Sequence, residues 1–497
     1  MIPTAHTFYD TFAYKGKWWL PRSRKKIDGE LIFKGGDRIR LELAGSLEGY
    51  GQLGNPPVIY GILDNGTIVT LLDNLWESMS SGHVGHERPN YLSNRLVFGV
   101  LADGPDDLIF HKVRLRLTYL ESWAMIHPFT SSHEGSAADL ESLSVTYARP
   151  SPITIRIAEP AMTIVFRFDL NWSSRLYVST TIDPKPVIEI EPDTPLNLER
   201  AQVLIGDLKN LFILLMGRPA FVLRIEGTVA AHVKERGKPG RGKMGKGSCE
   251  VLFSQIEQQP VNGIDVRLLF PLSVLRDRFH QVLQNWIESL PKLRPVYEVF
   301  FGIFRSHRVH LQSHFVHLAQ AVESFQRRTI GGLYLPDEQY QAIRTAVTAA
   351  AMEAISKVAT ASAASAEGTP EAIFHGLRDR LKNQIKYANE PSLRRRLAHV
   401  LDNLSNDVRA MICSKPSEFV SAVVNTRNYL THLDDSSGEN ILENDQLLHA
   451  LRKLEILILI LLLGNVGITE AEVLERLRAT ARFELDPFEL PPHTMGD

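Results

Sequence analysis

The chain has 497 residues, too many for one ordinary hydrophobic core, so two or three domains are the default. A hydrophobic share of 44% beside 23% charged residues marks a globular protein and excludes a disordered one. The formal net charge of -2 supplies no global attraction for nucleic acid or for an anionic membrane, so any such binding has to come from local patches.

Cys249 and Cys413 are too few for a disulfide framework or a cysteine-based zinc site, and they point to a reducing cytoplasm. The opening "MIPTAHTFYDTFAYKGKWW" has no basic stretch followed by an apolar one, so no signal peptide is expected. Up to about Ile190 the pattern is mostly β. "GELIFKGGDRIRLELAGSL" carries two alternating runs around Gly35-Gly36, a hairpin signal. "HKVRLRLTYLESW", "ITIRIAEPAMTIVFRFDL" and "RLYVSTTI" continue in that style, rich in β-branched and aromatic residues. Turns at Asn65-Gly66, Ala102-Asp103-Gly104 and Glu159-Pro160 separate such runs, and short strands so punctuated suggest a sandwich or open barrel. The segment Thr194–Gly217 then switches to helical spacing, with Thr194 as N-cap, Pro195 at the first helical position and Gly217 at the end. A strand, "PAFVLRIEG", follows.

From Pro271 the sequence is helical. "PLSVLRDRFHQVLQNWIESL" and "RPVYEVFFGIFRSHRVHLQSHFVHLAQAVESFQRR" keep apolar residues three and four apart. After them come "ATASAASAEGTPEA" (Ala359 to Ala372), read as a loop between helices, and further amphipathic stretches ending in "DQLLHALRKLEILILILLLGNVG". The unbroken apolar run Ile456 to Leu463 is less than half of the ~20 residues a membrane helix needs, so a buried helix and no membrane span are expected. The fold class expected is α+β: a β-rich sandwich or barrel-like domain over 1–270, then an all-α bundle over 271–497. No internal repeat is evident.

Three places invite chemistry. "GRGKMGKGS" (Gly240 to Ser248) nearly spells a phosphate-binding loop, but Gly247 stands where Ser or Thr should hold Mg²⁺, and no clear helix follows. With Lys234, Arg236, Lys238, Arg241, Lys243 and Lys246 it reads as a flexible basic loop, either solvated or touching RNA phosphates. His307, His310, His314 and His317 fall on one helix face, yet no carboxylate or cysteine joins them at ligand spacing and Arg305 and Arg308 would oppose a cation; no metal is expected. The third place is "NTRNYLTH" (Asn425 to His432). Taking Ser414 to Leu433 as one helix, Phe419, Val420, Val423, Val424 and Leu430 form its apolar stripe, and Arg427 falls near the centre of it. An unpaired guanidinium there would cost several kcal/mol, so Arg427 faces an anion, a polar cavity or a carboxylate such as Glu323. Asn428 and His432 share the flank of the stripe.

"RNYLTH" resembles the Arg-x4-His signature of HEPN domains. "HFVHLAQAVESFQRR" resembles the first long helix of HEPN domains of the ApeA type, and "LLHALRKLEILILILLLGNVGI" their closing apolar helix. "YKGKWWLPRSRKKIDGELIFKGGDRIRLELAGSL" looks like the start of the ApeA N-terminal domain, with its Trp-Trp-Leu-Pro element. The resemblance implies a β-rich sensor or regulatory domain joined to a HEPN ribonuclease that acts without a metal or other cofactor in abortive-infection defence against phage. It implies Arg427, Asn428 and His432 as catalytic residues, and Glu323 with Gln320 facing the cleft from the first helix. Arg327 and Arg328 would extend a phosphate track, to which Lys238, Arg241, Lys243 and Lys246 would add grip. The partners implied are host or phage RNA, with tRNA foremost, a second copy forming a homodimer or higher oligomer through the HEPN domain, and a phage-derived trigger. The alternative is a non-catalytic HEPN module that only dimerises or binds RNA beside a ligand-sensing N-terminal domain.

Overall fold

The computed structural model describes residues 6–47, 54–81, 87–135, 139–176, 178–232, 244–254, 267–305, 310–363, 371–432 and 441–480. The chain divides into two compact units, Met1–Glu288 with Asn465–Ile468 and Ser289–Gly464 with Thr469–Asp497. The fold class is β-rich followed by all-α, as the patterning predicts.

The first unit opens with β1 (Thr11–Trp19), β2 (Ile27–Lys34), β3 (Ile39–Leu43), β4 (Val58–Leu63), β5 (Ile68–Ser81) and β6 (Glu87–Phe98). Their order is β6-β3-β2-β1-β4-β5, and β5 also pairs with β6, which closes a six-stranded antiparallel barrel. The expected hairpin is β2–β3, with Gly36 at a φ of 81°, a conformation glycine adopts without strain. Trp18 from the Trp-Trp-Leu-Pro element is fully buried, its indole against the backbone of Gly61, where a Cβ would collide with the ring. Burial of an aromatic of this size is worth about 3–5 kcal/mol on truncation to alanine.

The chain continues through β7 (Ile109–Leu117), α1 (Leu120–Ala124), β8 (Phe129–Gly135), β9 (Leu140–Tyr147), β10 (Ile153–Ile157), β11 (Met162–Arg175), β12 (Ser179–Pro192), α2 (Leu198–Met216), β13 (Val222–His232) and β14 (Met244–Phe253). β8 and β9 form a separate hairpin. The others extend the barrel wall from β6 as an open sheet in the order β14-β13-β7-β12-β11-β10. Met162, Ile164, Phe166 and Phe168 alternate into the core, the period of two that marks a half-buried strand. Helix α2 packs on β7. Its N-cap is Asn197, whose side chain accepts from Arg200 N, and not the expected Thr194. Leu196 exchanges backbone hydrogen bonds with Phe110, which holds the chain extended until Asn197. Gly217 ends α2 at a φ of 65°, as expected.

The glycine-rich "GRGKMGKGS" also differs from its reading. Its second half, from Met244, belongs to β14 and pairs with β13, Ala230 opposite Lys246. A strand therefore stands where a phosphate-binding loop needs a helix, and the pairing satisfies backbone N–H groups that such a loop would aim at phosphate. Lys238, Arg241 and Lys243 lie outside the described residues, as does the side chain of Lys246.

The helices that follow are α3 (Leu272–Leu275), α4 (Phe279–Arg305), α5 (Leu311–Thr329), α6 (Asp337–Ala363), α7 (Glu371–Tyr387), α8 (Leu393–Asp402), α9 (Asn406–Ile412), α10 (Pro416–His432), α11 (Asn444–Asn465) and α12 (Glu470–Ala479). Three boundaries depart from the sequence reading. Pro291 and Pro295 sit inside α4, both exposed and four residues apart, so neither ring enters the core. The long histidine-bearing stretch is broken: α4 ends at Arg305 and α5 starts at Leu311, with His310 as its extended N-cap. His310 is therefore outside the helix that carries His314 and His317, and His307 lies outside the described residues. The apolar period keeps its phase across this break, Phe300 and Phe301 aligning with Phe315, Leu318 and Val322, so periodicity could not mark it. The alanine-rich run is helical through Ala363, where alanine's high helix propensity outweighs the linker-like composition; the rest of the expected loop, 364–370, lies outside the described residues. Helices α6 and α7 enclose a small core of their own, Ile355, Ala359 and Phe374 with Met352 and Leu381. The apolar run of α11 is buried as expected, and among the described residues no helix is long and apolar enough to cross a membrane.

Candidate ribonuclease site on α5, α8 and α10

Helix α10 packs on α5 and α8, and α5 on α8, all within the second unit. Phe419, Val420, Val423 and Val424 bury their side chains, as the stripe predicts, whereas Leu430, its fifth member, is half-buried. The core side also holds Thr426, fully buried, whose hydroxyl accepts from Leu442 N at 2.9 Å. That bond satisfies the one polar atom which burial would otherwise penalise.

Arg427, one residue on, is half-buried. Its Nη2 lies 3.9 Å from Glu323 Oε2, and its Nη1 donates to Asn428 Oδ1 at 3.2 Å. The carboxylate is thus near but beyond hydrogen-bond length, so Arg427 keeps donors for another anion. Glu323 also accepts from Arg327 Nη2 at 3.4 Å, and the same Nη2 lies 3.2 Å from Glu390 Oε2. Gln320 is exposed, one turn before Glu323. Arg328 is exposed and donates to Lys292 O at 3.0 Å, a neutral acceptor that leaves its charge unpaired by this bond.

Helix α10 stays regular to its last residue, His432, whose side chain lies outside the described residues. Thr431 Oγ1 donates to Arg427 O one turn back, at 2.7 Å. By helical position, residues 427 and 432 stand about 140° apart. Residue 427 belongs to the inward side with Val423, and residue 432 to the outward side with Ser421, Asn425 and Asn428.

The sequence reading missed the arginines of α8. "LRRRL" places Arg394, Arg395 and Arg396 about 100° apart, so they take three different surroundings. Arg396 is buried, donating to Gln326 Oε1, Gly331 O and Pro391 O, with Glu390 at 3.8 Å. Burial, and then Arg327, draws its pKa below the usual guanidinium value. Arg395 lies 5.2 Å from the centroid of the Tyr334 ring. Arg394 is exposed and reaches α10, where Nη1 donates to Ser421 Oγ at 2.5 Å and Nη2 to Asn425 Oδ1 at 3.3 Å. The signal for Arg396 was its place in the apolar period with Leu397 and Val400.

On the far flank of α5, His314 Nε2 lies 3.3 Å from Glu455 Oε1 of α11. Burial, opposed by Arg452, pushes the Glu455 carboxyl up to about 7, while burial and His317 lower His314. Both groups move toward their neutral forms, which weakens the contact as an ion pair. Among the described residues no three His, Cys, Asp or Glu side chains converge as metal ligands would.

A barrel-and-sheet unit followed by a helical bundle with an Arg-x4-His motif on α10 defines a two-part protein of the HEPN class. Residues 316–472 match the family model of the Apea-like HEPN, and residues 13–286, more than half of the chain, match that of ApeA N-terminal domain 1. The chain belongs to the ApeA family. No curated protein and no solved structure matches it. HEPN domains are generally ribonucleases that bind RNA and dimerise, and the pairing with an ApeA N-terminal domain is that of anti-phage defence.

Proposed function

We propose that the protein is a metal-independent endoribonuclease effector of abortive-infection defence, cutting tRNA or other structured RNA through Arg427, Asn428 and His432. The observation that carries this reading is the state of Arg427: half-buried on the α5 side of α10, with its one nearby carboxylate among the described residues at 3.9 Å. A phosphate brought to that guanidinium would meet free donors and displace only a loose pairing.

In the proposed reaction the RNA 2′-hydroxyl attacks the adjacent phosphorus in line and the bond to the 5′-oxygen breaks. One histidine takes the hydroxyl proton and a protonated one supplies the leaving oxygen, tasks suited to imidazole, whose ordinary pKa is near neutrality. Arg427 holds the phosphate and stabilises the charge added in the transition state with its planar fork of donors. Asn428, already bonded to Arg427, orients it. The products are a 2′,3′-cyclic phosphate and a 5′-hydroxyl. The ~140° between residues 427 and 432 on a regular helix favours a cleft shared by two copies, each supplying the group the other cannot bring to the same phosphate. The N-terminal β-rich domain would hold the nuclease silent until it meets a phage-derived trigger.

Wild type, Arg427→Ala and His432→Ala incubated with total tRNA and EDTA test this. Fragments with cyclic-phosphate ends from wild type alone are expected, unchanged by the chelator. RNA binding that persists in all three, with no cleaved ends during phage challenge, would instead make the domain a binding module.

A further inference from the structure

Four arginines stand on the faces where α5, α8 and α10 meet: Arg327, Arg394, Arg396 and Arg427. Three have a carboxylate within 4 Å, Glu323 or Glu390. Arg394 has none among the described residues. Its two described partners, Ser421 Oγ and Asn425 Oδ1, are neutral acceptors on the outward side of α10. They fix the direction of the side chain without cancelling its charge, and they leave most of its five N–H donors unused. The first turn of α8 contains no acidic residue, so the helix dipole adds to this positive potential and does not offset it. An exposed arginine held by two side-chain bonds but left without a counter-ion is a poor stabilising contact and a good receptor for an anion.

Its place along α10 says which anion. Ser421, Asn425, Asn428 and residue 432 recur at intervals of four, three and four, one line along the helix. Arg394 therefore lies over the same line on which residue 432 stands, roughly 10 Å of helix axis away from it at Asn425. A stacked strand advances ~3.4 Å per nucleotide, so that distance corresponds to about three nucleotides. We propose that Arg394 is a phosphate-binding residue of the RNA site, gripping the backbone about three nucleotides from the scissile bond. The inference rests on the ribonuclease reading and deepens it: the enzyme takes a strand with several nucleotides beside the cut and discriminates against very short RNA.

The test uses the full chain carrying His432→Ala, so that bound RNA is not consumed. Its affinity for a labelled twelve-nucleotide RNA is measured by anisotropy over a range of KCl, then compared with Arg394→Ala and Arg394→Lys in the same background. The alanine variant is expected to bind about tenfold more weakly. Its slope of log affinity against log salt is expected to be shallower by about 0.7, the loss of one phosphate contact on a single strand. Lysine should keep the slope and recover part of the affinity, and the alanine penalty should shrink on a trinucleotide. An unchanged slope with a lowered Tm would make Arg394 only a tie between helices, and an unchanged affinity would remove it from the site; either overturns the proposal. In both cases cleavage by wild type would still stand. No RNA bound by the parent and none cut by wild type would mean that the ribonuclease reading had failed first.

Discussion

The open sheet of the first unit and the helical face of the second both gather charge, in opposite balance. Across β7, β11, β12, β13 and β14 the cations Lys112, Arg114, Arg167 and Arg224 are bridged to Asp169, Glu189, Glu191, Glu226 and Glu250. Arg114 alone meets three of these carboxylates. On α5, α8 and α10 the arginines Arg327, Arg394, Arg396 and Arg427 share, among the described residues, only Glu323 and Glu390. A saturated network is what cross-strand pairing produces, and each cation there serves the sheet. A deficit of carboxylates leaves positive potential that folding alone does not need, which is the electrostatic condition for receiving a phosphate.

If the deficit face is the working one, its arginines should separate by task. Arg427→Ala should lower RNA cleavage by about 10²–10³-fold, as loss of a transition-state charge donor does. Its Tm should move little, because the pairing it loses is long and partly exposed. Arg396→Ala should do the reverse. It strands the buried Gln326 Oε1, removes the bonds to the part-buried Gly331 O and Pro391 O, and empties a buried site, and should cost about 3 kcal/mol or more, read by denaturant unfolding. Equal stability losses for the two would dissolve the distinction.

Glu323→Gln should have a smaller effect. It removes the acid that Arg427 and Arg327 share, so RNA affinity should rise a few-fold, about 1 kcal/mol, at low salt and converge with wild type at high salt. A fall in affinity would make Glu323 a positioning residue for Arg427.

The smallest effect concerns Glu455. The folded protein keeps its proton up to about pH 7, whereas the ordinary carboxyl value is 4.5, so this group makes stability fall as pH rises from 4.5 through about 7. His314, lowered from 6.5, works the other way below that value. The variant should therefore melt higher than wild type above pH 7, by about 2 °C, and the two should meet below about pH 4.5. A constant difference across that range would mean that the carboxyl does not titrate there.

Local pattern made much of this legible. Alternation marked most of the strands, Gly35-Gly36 the β2–β3 hairpin, Gly217 the end of α2, and the apolar stripe α10. Two runs read as strand were not: "RLYVSTTI" spans the turn between β11 and β12, with Leu176 and Val178 exposed, and "LESW" is helix α1. What escaped depends on distant partners. Barrel closure is the pairing of β5 with β6 on top of β4, which no single strand encodes. The end of α4 and start of α5 lie in a stretch whose apolar phase never falters. Arg427 could be placed on the stripe by counting, and Glu323 was the carboxylate expected to face it. Arg394 and Arg396 could not be told apart in "RRR", because one faces Gln326 and two carbonyls while the other faces Ser421 and Asn425, all far away in sequence.

The most direct measurement maps RNA ends in phage-challenged cells that carry wild type, Arg427→Ala or His432→Ala at matched protein levels. The account predicts new 2′,3′-cyclic-phosphate and 5′-hydroxyl ends, concentrated in tRNA, from wild type only. Protection from phage should be lost in both variants along with those ends. Protection that survives in both variants while RNA stays intact in all three would contradict it.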